Sequence, residues 1–300
     1  MFPLIKKWLS FVRFSHTLFA LPFALAAMAV AARDHRGWPG GRTFGLILAA
    51  MVCARTCAMS FNRIVDRKFD ALNPRTANRH LPAGQISLVS ASALCALSAA
   101  GLMVASHFLN PLCFYFSPVA LVVICFYSFT KRFTDYTHVF LGLALALAPL
   151  GAWLAVKGAD VTGWEILQMF ALSATVVLWL VGFDIIYALQ DYEFDRAHGL
   201  HSLVVAWGPK NALAAAFLAH LVTCGLLFAF GLLTFGPRCI AYLIGWGIIV
   251  GCLVLEHWIA RRRSLDWINL AFFRLNAVVS AIFLIVTAAE VVFQGGFKLR

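Results

Sequence analysis

Charged residues are scarce in this sequence. Aspartate and glutamate together number only 13 among 300 residues, all charged residues make up 12%, and hydrophobic ones 62%, with a mean hydropathy of +0.85. Soluble domains hold roughly 45–50% apolar residues, so a water-soluble globular fold is excluded. Alternation of apolar and polar positions over about 10 residues is also missing, which removes a membrane β-barrel. The eight cysteines, at 53, 57, 95, 113, 125, 224, 239 and 252, show no C-x-x-C spacing and nearly all fall inside apolar runs. They read as small buried hydrophobes, not as a disulfide framework or a metal site. Linkers, low-complexity tracts and shifts in composition are lacking, so residues 1–300 read as one membrane domain.

What is present is a series of continuous apolar runs. About 18 such residues suffice to cross a hydrocarbon core of roughly 30 Å as a helix. Nine runs occur, at 15–32, 43–61, 87–106, 111–129, 138–156, 164–188, 211–234, 239–256 and 272–293, so the expected class is an all-α integral membrane protein with nine transmembrane helices. Lysine and arginine distribute unevenly about them. Sixteen fall on the side of the amino terminus, among them Arg262 and Arg263; seven fall on the other, among them Lys298 and Arg300; Arg55 lies within the second run. Positive residues collect on the cytoplasmic side, so the amino terminus and the stretch 62–86 are expected in the cytoplasm, with the chain in a bacterial inner membrane. The net charge of +11 is then topology signal beside anionic lipid, and no nucleic-acid partner is expected. Lys6, Lys7 and Arg13 ahead of an apolar run ending in AAMAVAA imitate a secretory signal. Eight further runs follow, so this segment is expected to remain as a first-span anchor.

The few acids are not scattered. NRIVDRKFDALNPRTANRHLPAG, residues 62–84, holds five basic and two acidic residues with three asparagines, and a second polar loop covers 189–210. Each loop region contains D-x-x-x-D, as Asp66 with Asp70 and as Asp191 with Asp195, and both pairs are offset by 125 residues. Two related halves of about four helices each follow, with charged loops in corresponding positions that flank a working site. Asn62, Asp66 and Asp70 step by four and share one helix face, to which Arg55 returns within about 20°. Asp184, Tyr187, Asp191 and Asp195 stand at offsets of 0, 3, 7 and 11, again one face, while Glu193 points elsewhere.

Carboxylates gathered in this way raise one another's pKa unless a cation joins them. Hard oxygen donors on one face suit Mg²⁺, which takes one or two carboxylates and shares its shell with substrate phosphates. The interleaved Arg67, Lys68, Arg75, Arg79, Lys131 and Arg132 suit phosphate oxygens, although singly such residues are more often positive-inside anchors. Single D-x-x-x-D pairs also occur at ordinary solvated helix ends. Arg55 and Asp184 differ, because a charge within a span costs about 2.5–3.5 kcal/mol and marks either a functional cavity or a mutual buried salt bridge. His16, His198 and His201 read as helix-end hydrogen-bonding groups. The 27 phenylalanines read as lipid-facing and core filler, with some lining whatever cavity exists.

At these residues the sequence resembles the UbiA family of intramembrane prenyltransferases. The resemblance rests on N-x-x-x-D-x-x-x-D at Asn62, Asp66 and Asp70 running into NPRTANRHLPAG, on Y-x-x-x-D-x-x-x-D at Tyr187, Asp191 and Asp195 followed by HGLHS, and on YSFTKRFTDYTHVFLGLALALAP at 127–149. It covers essentially the whole chain. It implies a helical bundle around a central cavity, two four-helix-like halves plus one helix, and transfer of a polyprenyl group from its diphosphate to an aromatic acceptor. It further implies that Asn62, Asp66, Asp70, Asp191 and Asp195 hold Mg²⁺ and the diphosphate, and that Lys131 and Arg132 neutralise the leaving group. Arg13, Arg55, Asp184 and Tyr187 join the expected substrate-binding groups, Arg55 as partner of the acceptor's carboxylate or phenolate. RTANRHLPAG fits the branch that acts on the aromatic acid 4-hydroxybenzoate, toward ubiquinone. RFSHTLFALPFAL and ARTCAMSFNRIVDR also resemble a subgroup acting on a dihydroxynaphthoate toward menaquinone. An anionic-lipid transporter or flippase is the alternative of another class, and it would want polar groups leading to the far side.

Overall fold

The computed structural model describes residues 2–13, 17–261 and 271–297. His16, Arg262, Arg263, Lys298 and Arg300, together with the first two positions of the run expected at 15–32, lie outside the described residues. The helices are α1 (Phe2–Phe11), α2 (Thr17–Ala31), α3 (Gly41–Leu72), α4 (Leu88–Leu109), α5 (Pro111–Thr130), α6 (Thr137–Lys157), α7 (Gly163–Ala188), α8 (Tyr192–Ala197), α9 (Leu203–Phe235), α10 (Ile240–Ala260) and α11 (Asn276–Phe297). Eight of them, α3 to α7 and α9 to α11, are long and apolar enough to cross a membrane. The ninth expected span is α2, whose 15 residues reach about 22 Å, less than a full crossing.

Local chemistry sets the helix starts. Asn110 caps α5 by accepting from the Cys113 backbone N–H at 3.0 Å, with Pro111 in the first turn where its missing donor costs nothing. Thr162 and Glu165 form a reciprocal capping box at α7, and Ser87 and Ser202 cap α4 and α9. Within α9 the chain turns at Gly208, whose φ of 75° lies in the left-handed region, and Pro209 opens the longer second segment.

α7 is the central helix. Of its most apolar stretch 67% is buried against other helices, compared with 22% for α4 and 17% for α5, which therefore present most of their surface to lipid. Around α7 the core joins α2, α9, α10 and α11: Phe23 stacks on Phe283 at 4.7 Å and meets Trp179 at 4.9 Å. Inside this apolar wall runs a polar chain. Trp179 Nε1–H donates to Asn276 Oδ1 at 2.9 Å, and Asn276 Nδ2–H to Glu256 Oε1 at 3.0 Å. Buried His220 pairs its Nδ1 with His257 Nε2 at 2.9 Å. Such groups are tolerated in an apolar interior because the hydrogen bonds between them offset much of the cost of burying them. His220 approaches Gly182 so closely that a Cβ there would collide with the imidazole.

The two halves expected from the 125-residue offset have matching helix orders, α2–α5 and α6, α7, α9, α10, with α11 added. α3 packs on α4 as α7 packs on α9. The halves differ at the motifs. α3 runs unbroken through Asn62, Asp66 and Asp70, whereas α7 ends at Ala188 and passes through a 3₁₀ turn, Leu189–Asp191, into α8. The single continuous face expected for Asp184 to Asp195 is thus interrupted. The tighter turn carries Asp191 to side chains of the loop after α3, where its carboxylate is bonded twice over. Glu193 is exposed, as expected.

Candidate active site

The charged loops meet in one polar chamber of about 260 Å³. Asn62 Nδ2–H donates to Asp66 Oδ2 at 2.8 Å, and Arg132 reaches Asp66 at 3.6 Å. Asp70 accepts from Arg79 at 2.6 Å, with Arg63 at 3.8 Å. In the loop after α3, Arg75 donates from Nε to Asp191 Oδ1 at 2.8 Å and from Nη1 to the Tyr187 hydroxyl at 2.9 Å, and Asn73 adds a bond to Asp191 at 3.1 Å. Lys131 donates to Asp195 at 3.1 Å. Four carboxylates therefore each have a cationic neighbour, and two of the four links, Arg75–Asp191 and Lys131–Asp195, tie the second motif to the first half of the chain.

The electrostatics keep Lys131 and Arg75 charged. Desolvation works against the Lys131 ammonium, but the carboxylates of Asp195, Asp191 and Asp184 outweigh it and raise its pKa. Desolvation likewise works against Arg75, and its hydrogen bonds to Asp191 and Tyr187 with their charges raise its pKa. Arg132 is held by the Val65 carbonyl at 2.9 Å and lies over the Phe69 and Phe129 rings at 5.5 and 5.6 Å.

Arg13, Arg55, Asp184 and Tyr187 also line the chamber. The alternative of an Arg55–Asp184 salt bridge is not what forms among the described residues: Asp184 Oδ2 meets His138 Nδ1 at 2.6 Å, and Arg55 Nε is buried with no hydrogen-bond partner among them. Arg67 and Lys68 do not line the chamber. Arg67 donates to the Ile64 carbonyl of its own helix at 2.7 Å, and Lys68 is exposed. At 100° per residue both step off the stripe that Asn62, Asp66 and Asp70 define. His198 bonds the Phe194 carbonyl at the end of α8, and His201 meets Asp135, so both act as helix-end groups.

Arg55, Tyr127 and Leu141 are shared with a second, apolar chamber of about 430 Å³ between α3, α4, α5 and α6. Its depth is lined by residues such as Ile47, Met51, Leu102, Leu145 and Leu154. A charged head and a long apolar tail fit this pair of chambers end to end. Among the described residues that line this chamber away from the junction, Ser106 and Ser117 are the only hydroxyl-bearing ones and none is charged, which disfavours a transporter for anionic lipids.

The oxygen donors fit Mg²⁺. Among the described residues no group of three or more His, Cys, Asp or Glu side chains converges on one metal position. The carboxylates come as two pairs instead, and Asp70 Oδ2 is buried with no hydrogen bond among the described residues. Mg²⁺ is satisfied by one or two carboxylates when phosphate and water complete its octahedron.

The profile of the UbiA prenyltransferase family matches residues 20–278. The chain belongs to this family. UbiA homology takes in both motif regions and leaves α1 and most of α11 outside the match. Among relatives, the 4-hydroxybenzoate octaprenyltransferase of Tolumonas auensis is 31% identical over 248 residues, covering 81% of this chain and 84% of that enzyme. The enzyme of the same name from Paraburkholderia phytofirmans is 28% identical over 293 residues, covering 96% and 98%. The apo structure of a UbiA homolog from Aeropyrum pernix superposes with a TM-score of 0.79 at 31% identity, covering 93% of this chain and 98% of that one. A UbiA homolog from Archaeoglobus fulgidus bound to GPP and Mg²⁺ shares the fold, with a TM-score of 0.71 at 22% identity, covering 95% and 99%.

Several chamber residues of this UbiA chain escape sequence reasoning. Arg63, which counts only as a topology charge in the sequence, is buried against Asp70, seven residues on, a spacing that returns it to the same face. Asn73, Ser128 and His138 also line the chamber. They stand outside the D-x-x-x-D register and carry no spacing signal.

Proposed function

We propose that this chain transfers a polyprenyl group from a polyprenyl diphosphate to the ring of an aromatic acid, 4-hydroxybenzoate, in a Mg²⁺-dependent reaction within a bacterial inner membrane. The observation that carries the reading is the junction at Arg55: a chamber of four carboxylates and their cations meets there an apolar chamber of about 430 Å³. The names of the bacterial relatives and the GPP- and Mg²⁺-bound homolog support it. Asp66, Asp70, Asp191 and Asp195, assisted by Asn62, would hold the metal, which when bound stabilises the charge on the departing diphosphate. Arg75, Arg79, Lys131 and Arg132 lean on those carboxylates and are placed to turn to phosphate oxygens. The apolar chamber shelters the allylic cation from water, and the Tyr127 ring stands at its mouth. Arg55 receives the acceptor's carboxylate. The amino terminus and both motif loops face the cytoplasm, where the acceptor and the diphosphate head are found.

The test is turnover in detergent with Mg²⁺ and geranyl diphosphate, offering 4-hydroxybenzoate and 1,4-dihydroxy-6-naphthoate in parallel. Prenylated 4-hydroxybenzoate, lost with EDTA and lost in Asp66→Ala and in Asp191→Ala, is expected. Product from the naphthoate alone would move the chain to the menaquinone branch, and product from neither would overturn the reading.

A further inference from the structure

Prenylation of an aromatic ring leaves one proton too many on the attacked carbon, and none of the groups assigned above removes it. The four motif aspartates are engaged with cations, and Arg55 is a cation. His138, at the start of α6, is different. Its side chain has no accessible surface, it lines the polar chamber one turn before Leu141 at the junction, and its Nδ1 lies 2.6 Å from Asp184 Oδ2. A carboxylate at that distance fixes the tautomer with the proton on Nδ1 and leaves the lone pair on Nε2. Nε2 is buried and has no hydrogen-bond partner among the described residues. An unsatisfied buried acceptor of this kind carries a desolvation cost that a substrate group removes on binding. The arrangement of carboxylate, oriented imidazole and free nitrogen is that of a general base held ready for one proton.

We propose that His138, oriented by Asp184, is the base that takes the ring proton of the acceptor. The step balances as follows. The C1–O bond of the prenyl diphosphate breaks with its electron pair on the diphosphate, and a π pair of the ring carbon beside the phenol forms the new bond to C1. The C–H bond at that carbon then breaks, its electrons restore the aromatic ring, and the proton passes to His138 Nε2. The resulting imidazolium sits against the Asp184 carboxylate until it gives the proton to an oxygen of the released diphosphate. Asp184 in this scheme is a positioning residue. The buried charge that marks it in the sequence is explained by the imidazole it holds.

The proposal rests on the aromatic-acceptor reading, so wild-type turnover is measured first. The decisive variants are His138→Gln, which keeps a donor toward Asp184 but has no basic lone pair, and His138→Ala, which leaves room for added imidazole. Wild-type circular dichroism and thermal unfolding in detergent, kept by both, report that they are folded. The readouts are kcat and its isotope effect with 4-hydroxybenzoate deuterated at the two positions beside the hydroxyl. We expect kcat to fall about 100-fold or more in His138→Gln, a primary isotope effect larger than that of the wild type to appear, and imidazole to restore His138→Ala in part. Full kcat in His138→Gln overturns the proposal while leaving the transferase reading intact. So does a loss of kcat with an unchanged isotope effect and no rescue by imidazole, which is the pattern of a packing role. A wild type that prenylates neither aromatic acceptor removes the reading and the proposal together.

Discussion

Arg55 shows how one residue can divide a cavity into two chemistries. It lines both the apolar and the polar chamber, and its Nε has no hydrogen-bond partner among the described residues. A charge-assisted hydrogen bond of this type contributes about 1.5–3 kcal/mol. Arg55→Ala should therefore raise the KM for 4-hydroxybenzoate roughly 10- to 100-fold and leave that for geranyl diphosphate unchanged, as steady-state kinetics with each substrate varied in turn will read. A shift in the diphosphate KM instead would place Arg55 with the phosphate groups. The cations deeper in the chamber carry a pH prediction. Lys131 has an ordinary pKa of 10.5, raised here by its carboxylates. A raised pKa means that its charge, and the contribution of that charge, is fully present below the ordinary value and is lost only as pH rises through the higher folded one. Retention of labelled geranyl diphosphate should therefore hold from pH 7 to about 10. A fall centred below pH 9 would show that Lys131 does not keep its charge.

At the scale of elements, the helix that matters most is α7. It is the most buried of the spanning helices, and its contact with α9 depends on Gly182, where a Cβ would strike the His220 imidazole. Gly182→Ala overpacks that contact and should destabilise the protein by about 1–3 kcal/mol. Gly251→Ala on α10, where a Cβ meets nothing within 4 Å, should leave thermal unfolding in detergent unchanged. Equal behaviour of the two would mean that the α7–α9 approach is not constrained. The apolar runs mark the spanning helices well because the bilayer imposes length and composition on each segment separately. The one-face stripe of Asn62, Asp66 and Asp70 is legible for a related reason: α3 has no break, so spacing alone fixes the face. The second stripe is not legible in full. Nothing between Ala188 and Tyr192 is a proline or a glycine, and the 3₁₀ turn there is accompanied by bonds to Asp191 from Arg75 and Asn73, more than 110 residues away. His138 escapes for the same reason. Its meaning comes from Asp184, 46 residues further on, and no local pattern connects the two.

The molecule as a whole gathers its motif acids at one end and its apolar chamber beside them, so the direction in which it sits in the membrane decides which compartment supplies the substrates. The Lys and Arg bias is the ground for expecting the motif loops in the cytoplasm, and the other surface carries ion pairs of a different kind. There Lys157 bridges Glu165 at 2.9 Å and Asp34 at 3.8 Å, and Arg33 donates to Gln168 at 3.0 Å, contacts that tie α2, α6 and α7 together far from the chamber. Orientation can be read directly in a variant lacking the eight native cysteines. A cysteine introduced at Gln85, in the exposed loop after α3, should react with a membrane-impermeant maleimide only in inside-out vesicles. One introduced at Asp160, between α6 and α7, should react in intact cells. The two sites lie on opposite sides if the α3–α7 stretch crosses an odd number of times between them, and α4, α5 and α6 supply three crossings. Labelling of both positions from the same side would remove one of those crossings, and the reversed pattern would put the carboxylate chamber outside the cytoplasm, where a cytoplasmic supply of prenyl diphosphate could not reach it.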